Sequence, residues 1–338
     1  MKLGLLTGVL GDKPREEAFD TAAQLGLDAV ELGTGEFSSD WHVGLDAVAE
    51  DQSAADELRR SLDSRNLELS ALSCHSNPLH PNPAYAERAG DVFHKTVLAA
   101  ERLGVPNVVL FAGCPGTPEG GEYPNWVSTG WPGYYSELLE WQWEEKIIPF
   151  WREGAAFAGD HGVRLAFEPH PGDCVFNPPS MRRLRDACGE NVGVNFDPSH
   201  LWWQGMDPLV VAEELGRAGM LFHVHAKDTY IDEGMAARDG LLATSAPEEP
   251  GRSWRFATVG YGHDVVFWRK LASVLRTVGY EGVVSIEHED PLAPVMEGLE
   301  RTVKLLREAL WHEPSAALSW LTDPPTLTTI EQSRVVAG

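Results

Sequence analysis

Four short apolar runs each end in a side chain able to bind a metal. They are Arg164-Leu165-Ala166-Phe167-Glu168, Val192-Gly193-Val194-Asn195-Phe196-Asp197, Leu221-Phe222-His223-Val224-His225 and Val283-Val284-Ser285-Ile286-Glu287. Each has the length and residue types of a buried parallel strand. Ending four such strands on a carboxylate or imidazole costs stability unless something binds there. Glu168, Asp197, His225 and Glu287 are therefore read as ligands of one divalent ion, with Mn²⁺ placed ahead of Co²⁺, Mg²⁺ and Zn²⁺. Unlike a closed structural zinc site, this set leaves positions open to substrate oxygens.

An ion holding two adjacent sugar oxygens would acidify the C–H beside a carbonyl and stabilise an enediolate. That chemistry needs a base. Glu168 and Glu287 are candidates, as are His75, His170 and His200. His200 ends Asp197-Pro198-Ser199-His200 and is expected to overhang the same pocket, and His170 in Glu168-Pro169-His170-Pro171-Gly172 is similarly placed. His75 opens Cys74-His75-Ser76-Asn77-Pro78-Leu79-His80-Pro81 and is expected to contact substrate, whereas His80 is expected to be structural. His223 and His225 alternate along one strand and so share a face. The adjoining Ala226-Lys227-Asp228 favours His225 as the ligand, leaving His223 a core or supporting role. Lys227 either touches an anionic substrate oxygen or pairs with a carboxylate. His288 and Glu289 are expected to support the ligands. Trp126, Trp131, Trp141, Trp143, Trp202, Trp203 and Trp254 crowd the loops and helices nearby, as core packing or as a wall for a sugar or aromatic ring. Trp126 and Trp203 are the candidates for that wall.

These residues must be positioned by regular elements, and strand-like and helix-like segments alternate through most of the chain. Strands are predicted over Lys2–Thr7, Asp28–Leu32, Leu67–Ser73 and Asn107–Ala112, followed by the four ligand-ending runs. Helices are predicted over about Arg15–Leu25, Ala54–Asn66, Ala84–Leu103, Tyr135–His161 with a kink at Pro149, Pro179–Cys188, Pro208–Arg217, Asp264–Val278 and Leu292–Leu310. Eight strand–helix units in order define an α/β chain, a (β/α)₈ TIM barrel over residues 1–311. Gly26 and Gly104 are placed to cap helices before the next strand begins. All four ligands then fall at the C-terminal ends of strands, where barrel enzymes do their chemistry. Two long loops, Cys114–Tyr134 and Thr229–Ala257, follow strands on that face and read as lids or substrate walls. A C-terminal extension, 312–338, carries Trp320 and Leu321 and is expected to dock on the barrel or on a neighbouring subunit of an oligomer.

Composition narrows the function. Of 338 residues 43% are hydrophobic, ample for one large core, and the net charge of −24 opposes nucleic acid or an acidic membrane as partner. No apolar run approaches the roughly 18 residues that span a bilayer. Cys74, Cys114, Cys174 and Cys188 show no CxxC spacing and, with no secretory signal at the start, are expected to be reduced thiols in a cytoplasmic protein. The glycines form no dinucleotide or phosphate-loop fingerprint.

The chain resembles the xylose-isomerase-like barrel superfamily over roughly Met1 to Leu310. The resemblance rests on Phe167-Glu168-Pro169-His170-Pro171-Gly172, Asn195-Phe196-Asp197-Pro198-Ser199-His200, His223-Val224-His225-Ala226-Lys227-Asp228 and Ser285-Ile286-Glu287-His288-Glu289-Asp290. It implies one metal on Glu168, Asp197, His225 and Glu287, with His200 at the substrate. In the superfamily's ketose 3-epimerases the two glutamates also exchange protons with substrate. Cys114-Pro115-Gly116, Tyr123-Pro124-Asn125-Trp126-Val127 and Val259-Gly260-Tyr261-Gly262-His263-Asp264 look like a distinct branch, which includes catalytic subunits of bacterial C-glycoside deglycosidases. That branch implies a keto-sugar lyase working with a small β-rich partner subunit. In it a base (His170, Glu168 or Glu287) removes the C2 proton of a 3-oxo-glycoside, and His75 or His200 protonates the leaving aglycone. A sugar isomerase or epimerase is the alternative. Endonuclease IV matches at His75, Asp197, His200, His225 and Glu287, but Leu110-Phe111-Ala112-Gly113 lacks the histidine its further zinc sites need. A non-catalytic sugar-binding barrel is the remaining option.

Overall fold

Apolar runs without alternation cannot leave either face in water, so they pair into a sheet covered on both sides. The structure, a computed structural model, describes residues 1–314 apart from Pro247, Glu248 and Pro250. Its strands are β1 (Lys2–Leu6), β2 (Ala29–Gly33), β3 (Glu68–Cys74), β4 (Asn107–Leu110), β5 (Arg164–Phe167), β6 (Val192–Phe196), β7 (Leu221–Ala226), β8 (Asp228–Ile231), β9 (Trp254–Ala257) and β10 (Val283–Ile286). Eight of them close into a barrel in the order β1-β10-β7-β6-β5-β4-β3-β2. Neighbours are parallel throughout, as in the pairs Leu5 with Ile286 and Leu110 with Phe167. This is the expected (β/α)₈ barrel. Helices pack outside it around a core that includes Phe19, Phe93, Trp151, Phe167 and Trp268. Gly26 and Gly104 end their helices at positive φ, 74° and 62°.

The barrel interior is layered, and its chemistry changes with height. Along β5, Arg164, Ala166 and Glu168 share one side, and along β3 Ala71 and Ser73 do. A separate small cluster, Ala71, Val109, Ala166 and Phe222, fills the interior towards the N-terminal mouth. Above it Glu31, Ser73, Asn195 and His223 are buried, where branched aliphatics fill most barrels. Above them lie the four predicted ligands.

Two segments differ from the sequence expectation. The helix predicted over Tyr135–His161 is two α-helices, Tyr134–Gln142 and Ile148–Asp160, joined by one π turn at Trp143–Ile147. Pro149 lies two residues after that π turn, so the irregularity of the helix falls in the turn just before the proline. The stretch Thr229–Ala257, expected as a loop, contains the antiparallel pair β8–β9 and the helix Glu233–Asp239. Its alternating Thr229-Tyr230-Ile231 and Trp254-Arg255-Phe256 suit a half-buried ribbon. The expected docking of Trp320 and Leu321 lies outside the described residues. No helix among the described residues is long and apolar enough to cross a membrane.

Asp228 anchors this ribbon to the rim. Its buried carboxylate accepts from the backbone N–H groups of Thr229, Gly260, Gly262 and His263, and pairs with His263 Nδ1 at 2.8 Å. Asp228→Ala would strand these donors. A loss of about 3 kcal/mol in chemical denaturation of the chelated protein is expected.

Candidate metal and catalytic site

The strand ends deliver the candidate ligands because parallel strands in register finish together. Glu168 directly follows β5 and its N–H bonds to Leu110 O on β4 at 2.9 Å. Asp197 follows β6, His225 belongs to β7 and Glu287 follows β10. One ligand atom from each of these four lies within 4.8 Å of the others. His225 Nδ1 is 3.1 Å from Glu287 Oε2 and 3.3 Å from Glu168 Oε2. Asp197 Oδ1 accepts the Ser199 N–H at 2.8 Å, whereas its Oδ2 is buried without a hydrogen bond. Three carboxylates around one imidazole, one of their buried oxygens without a hydrogen bond and met only by the His200 ring, fit a divalent cation.

The groups around the cluster are organised by charge. His200 Nε2 lies 3.1 Å from Glu168 Oε1 and 3.2 Å from Asp197 Oδ2. Burial opposes a charge on His200, but Asp197 and Glu168 raise its pKa to about 9. His75 Nε2 is 3.4 Å from Glu168 Oε2, while its Nδ1 shares a 2.7 Å hydrogen bond with Ser38 Oγ. Lys227 is buried between Glu289, at 2.5 Å, and Glu287, at 3.3 Å. Burial raises the pKa of Glu287, but Lys227 and His225 bring it down to about 2. His170 differs: burial and the neighbouring His200 push its pKa well below the usual imidazole value, leaving a neutral ring with a free lone pair. That ring lies 4.2 Å from the ring of His200.

These residues floor a cavity of about 620 Å³ lined by Glu168, Glu287, His75, His170, His200 and Lys227. Phe37, Tyr85, Phe111, Pro124 and Asp173 also line it, with Phe111 packed 4.4 Å from the His75 ring and 4.7 Å from the His170 ring. Trp126 and Trp203, expected as a stacking wall, do not line it. Trp203 stacks on Trp254 at 4.5 Å and Trp126 meets Phe176 edge-on, so both serve loop packing. Glu289 lines the cavity while pairing with Lys227, and His80 sits at its edge. All four cysteines are free, three of them buried.

Sequence reasoning passed over three residues. Glu31 on β2 is fully buried beneath His225, and Asn195 donates to Glu168 Oε2 at 2.7 Å. The signal for both was a polar residue inside an otherwise apolar strand run. Asp173 lines the cavity 3.9 Å from His170, and burial raises its pKa to about 7. It sits in a turn with no periodicity to mark it.

A closed parallel barrel with a carboxylate–imidazole cluster at its C-terminal mouth defines the class. The family model described as xylose isomerase-like TIM barrel matches residues 19–309, and the chain belongs to that family. It is 37% identical over 314 residues to the uncharacterized protein YfiH of Bacillus subtilis, covering 92% of this chain and 99% of YfiH. It is 30% identical over 323 residues to the rhizopine catabolism protein MocC of Rhizobium meliloti, covering 92% and 88%. The crystal structure of the IOLI protein with a bound zinc atom shares the fold, with a TM-score of 0.63 and 16% identity over 92% of this chain and 99% of that one.

The electrostatics fix a direction for metal binding. Burial disfavours a charge on His225, yet Glu31, Glu168 and Glu287 hold its pKa well above the usual value. Coordination needs the neutral ring, so loading releases a proton and affinity falls as pH falls. Metal titrations at about pH 6, 7 and 8 are expected to show up to about tenfold stronger binding per unit of rising pH. Asp197→Asn and Glu287→Gln should each lower metal content and turnover together; normal metal content in either variant would remove the site.

Proposed function

We propose that the protein is a divalent-metal-dependent enzyme that removes a proton α to the carbonyl of a keto-sugar. The favoured reaction is β-elimination of a 3-oxo-glycoside, with a small β-rich partner subunit and an oligomeric catalytic unit. One observation carries this reading: neutral His170 and charged His200 stand side by side over the four-ligand cluster. A bound divalent ion would polarise the substrate's carbonyl oxygen and so acidify the adjacent C–H. The IOLI protein's zinc and the donor set here support such an ion.

The protein's own groups then divide the proton work. His170 takes the C2 proton, the electron pair left behind forms the C1–C2 double bond, and the aglycone departs from C1 with the pair of the broken bond. Protonated His200 returns a proton to the departing group. His75, turned by Ser38 towards Glu168, is a second donor within reach of the same space. Phe37, Tyr85 and Phe111 offer rings for a planar aglycone, while Lys227 faces sugar oxygens.

Reversible isomerisation or epimerisation of a free ketose is the second reading. It is favoured by Glu168 and Glu287, two carboxylates bordering one cavity and able to serve opposite faces of a sugar carbon. Proton NMR in D₂O over free ketoses and 3-oxo-glycosides, with and without chelator, separates the two. Metal-dependent loss of a C–H signal with aglycone release supports the lyase, and exchange in a free ketose supports the epimerase. Silence across the panel, with the partner subunit supplied, overturns both. His170→Ala should keep its metal and slow exchange by about 10²–10⁴-fold; unchanged exchange would move the base to a glutamate.

A further inference from the structure

Beneath the metal-binding cluster lies a second buried polar group whose bonding is complete. Glu31 is wholly inaccessible, at the middle of β2. Its carboxylate meets His223 Nε2 at 2.8 Å and His225 Nε2 at 3.1 Å from each oxygen. Ser73 Oγ donates to Oε1 from the adjacent β3. A carboxylate without a proton only accepts, so both imidazoles must donate from Nε2. For His225 this leaves Nδ1 as the atom turned upward, where Glu168 and Glu287 lie within 3.3 Å.

Glu31, His223 and His225 are themselves close enough to bracket an ion. Hydrogen-bond accounting separates the two groups. The lower one matches one carboxylate with three donors and leaves neither oxygen of Glu31 without a partner. The upper one gathers three carboxylates and leaves Asp197 Oδ2 without a hydrogen bond. Of the two carboxylate sets, only the upper one keeps a carboxylate oxygen that no hydrogen bond meets.

We propose that Glu31 is the positioning residue of the metal centre, fixing the tautomer and ring orientation of His225 so that Nδ1 is presented to the ion, with His223 and Ser73 clamping the carboxylate in place. This inference rests on the metal site proposed above. Carboxylates that hold the far nitrogen of a ligating imidazole contribute to metal affinity without touching the ion. Here that support comes from β2, across the barrel from β7, so the site depends on closure of the whole sheet. Glu31→Gln keeps the shape but removes the charge, and its amide N–H₂ can turn towards His225 Nε2 and favour the opposite tautomer.

The test is Mn²⁺ titration of the full chain, paired with the visible absorption of the Co²⁺ form. Wild type is expected to take up one ion per chain. Glu31→Gln is expected to raise the Mn²⁺ dissociation constant about 10- to 100-fold, to alter the Co²⁺ spectrum and to shrink the metal-induced rise in Tm, while the chelated protein still melts cooperatively. Unchanged affinity and spectrum in Glu31→Gln, with wild type binding normally, would overturn the proposal. Two ions in wild type, one of them lost in Glu31→Gln, would overturn it in favour of Glu31 as a direct ligand. Failure of wild type to bind any ion would instead overturn the metal site itself and Glu31's role with it. Should Glu31→Gln be insoluble, His223→Gln, which releases the clamp, carries the same comparison.

Discussion

The imidazole of His225 joins two buried layers that would otherwise repel or fall apart. One nitrogen faces Glu31 and the other faces Glu168 and Glu287, all at the centre of a barrel that excludes water. Buried carboxylates are tolerated only when donors or cations meet them. The lower carboxylate is met in full by Ser73, His223 and His225. The upper three are met in part, by Asn195, His200, His75 and Lys227, and the shortfall is what a divalent ion would supply. Binding capacity here is a deficit left by an otherwise strict hydrogen-bond economy.

The same electrostatics divide labour among the histidines. His200 lies within 3.2 Å of two carboxylates and holds its proton; His170 comes no nearer than 3.9 Å to one, Asp173, and is kept neutral by burial and by His200. Two identical side chains thus differ in charge within one cavity, through their surroundings alone. Rim architecture reinforces the division. Asp228 gathers four backbone N–H groups, and Gly113 takes a positive φ of 80° where any side chain would strike Asn77 Oδ1. Loops that would be loose connections become fixed walls, and rings and polar groups line the cavity side by side.

The sequence by itself determined the barrel, its eight strands and the convergence of four candidate ligands, because each depends on a local pattern. Apolar runs of strand length, Gly caps at positive φ and a metal-binding residue at each run's end are legible one segment at a time. His170, His200 and His75 were legible too, since a residue two or three places beyond a strand end must overhang the same mouth. Less of the rest could be read. Glu31 sits 192 residues from His223 and meets it only when β2 and β7 face each other inside the closed sheet. Trp126 and Trp203 belong to aromatic-rich loops, but which ring faces the cavity depends on how the loops fold on one another, and Trp254 and Phe176 claim them. Whether a histidine is charged or neutral likewise follows from neighbours that separate strands bring together. Local pattern decided which groups reach the mouth; closure of the barrel alone decided what each one touches.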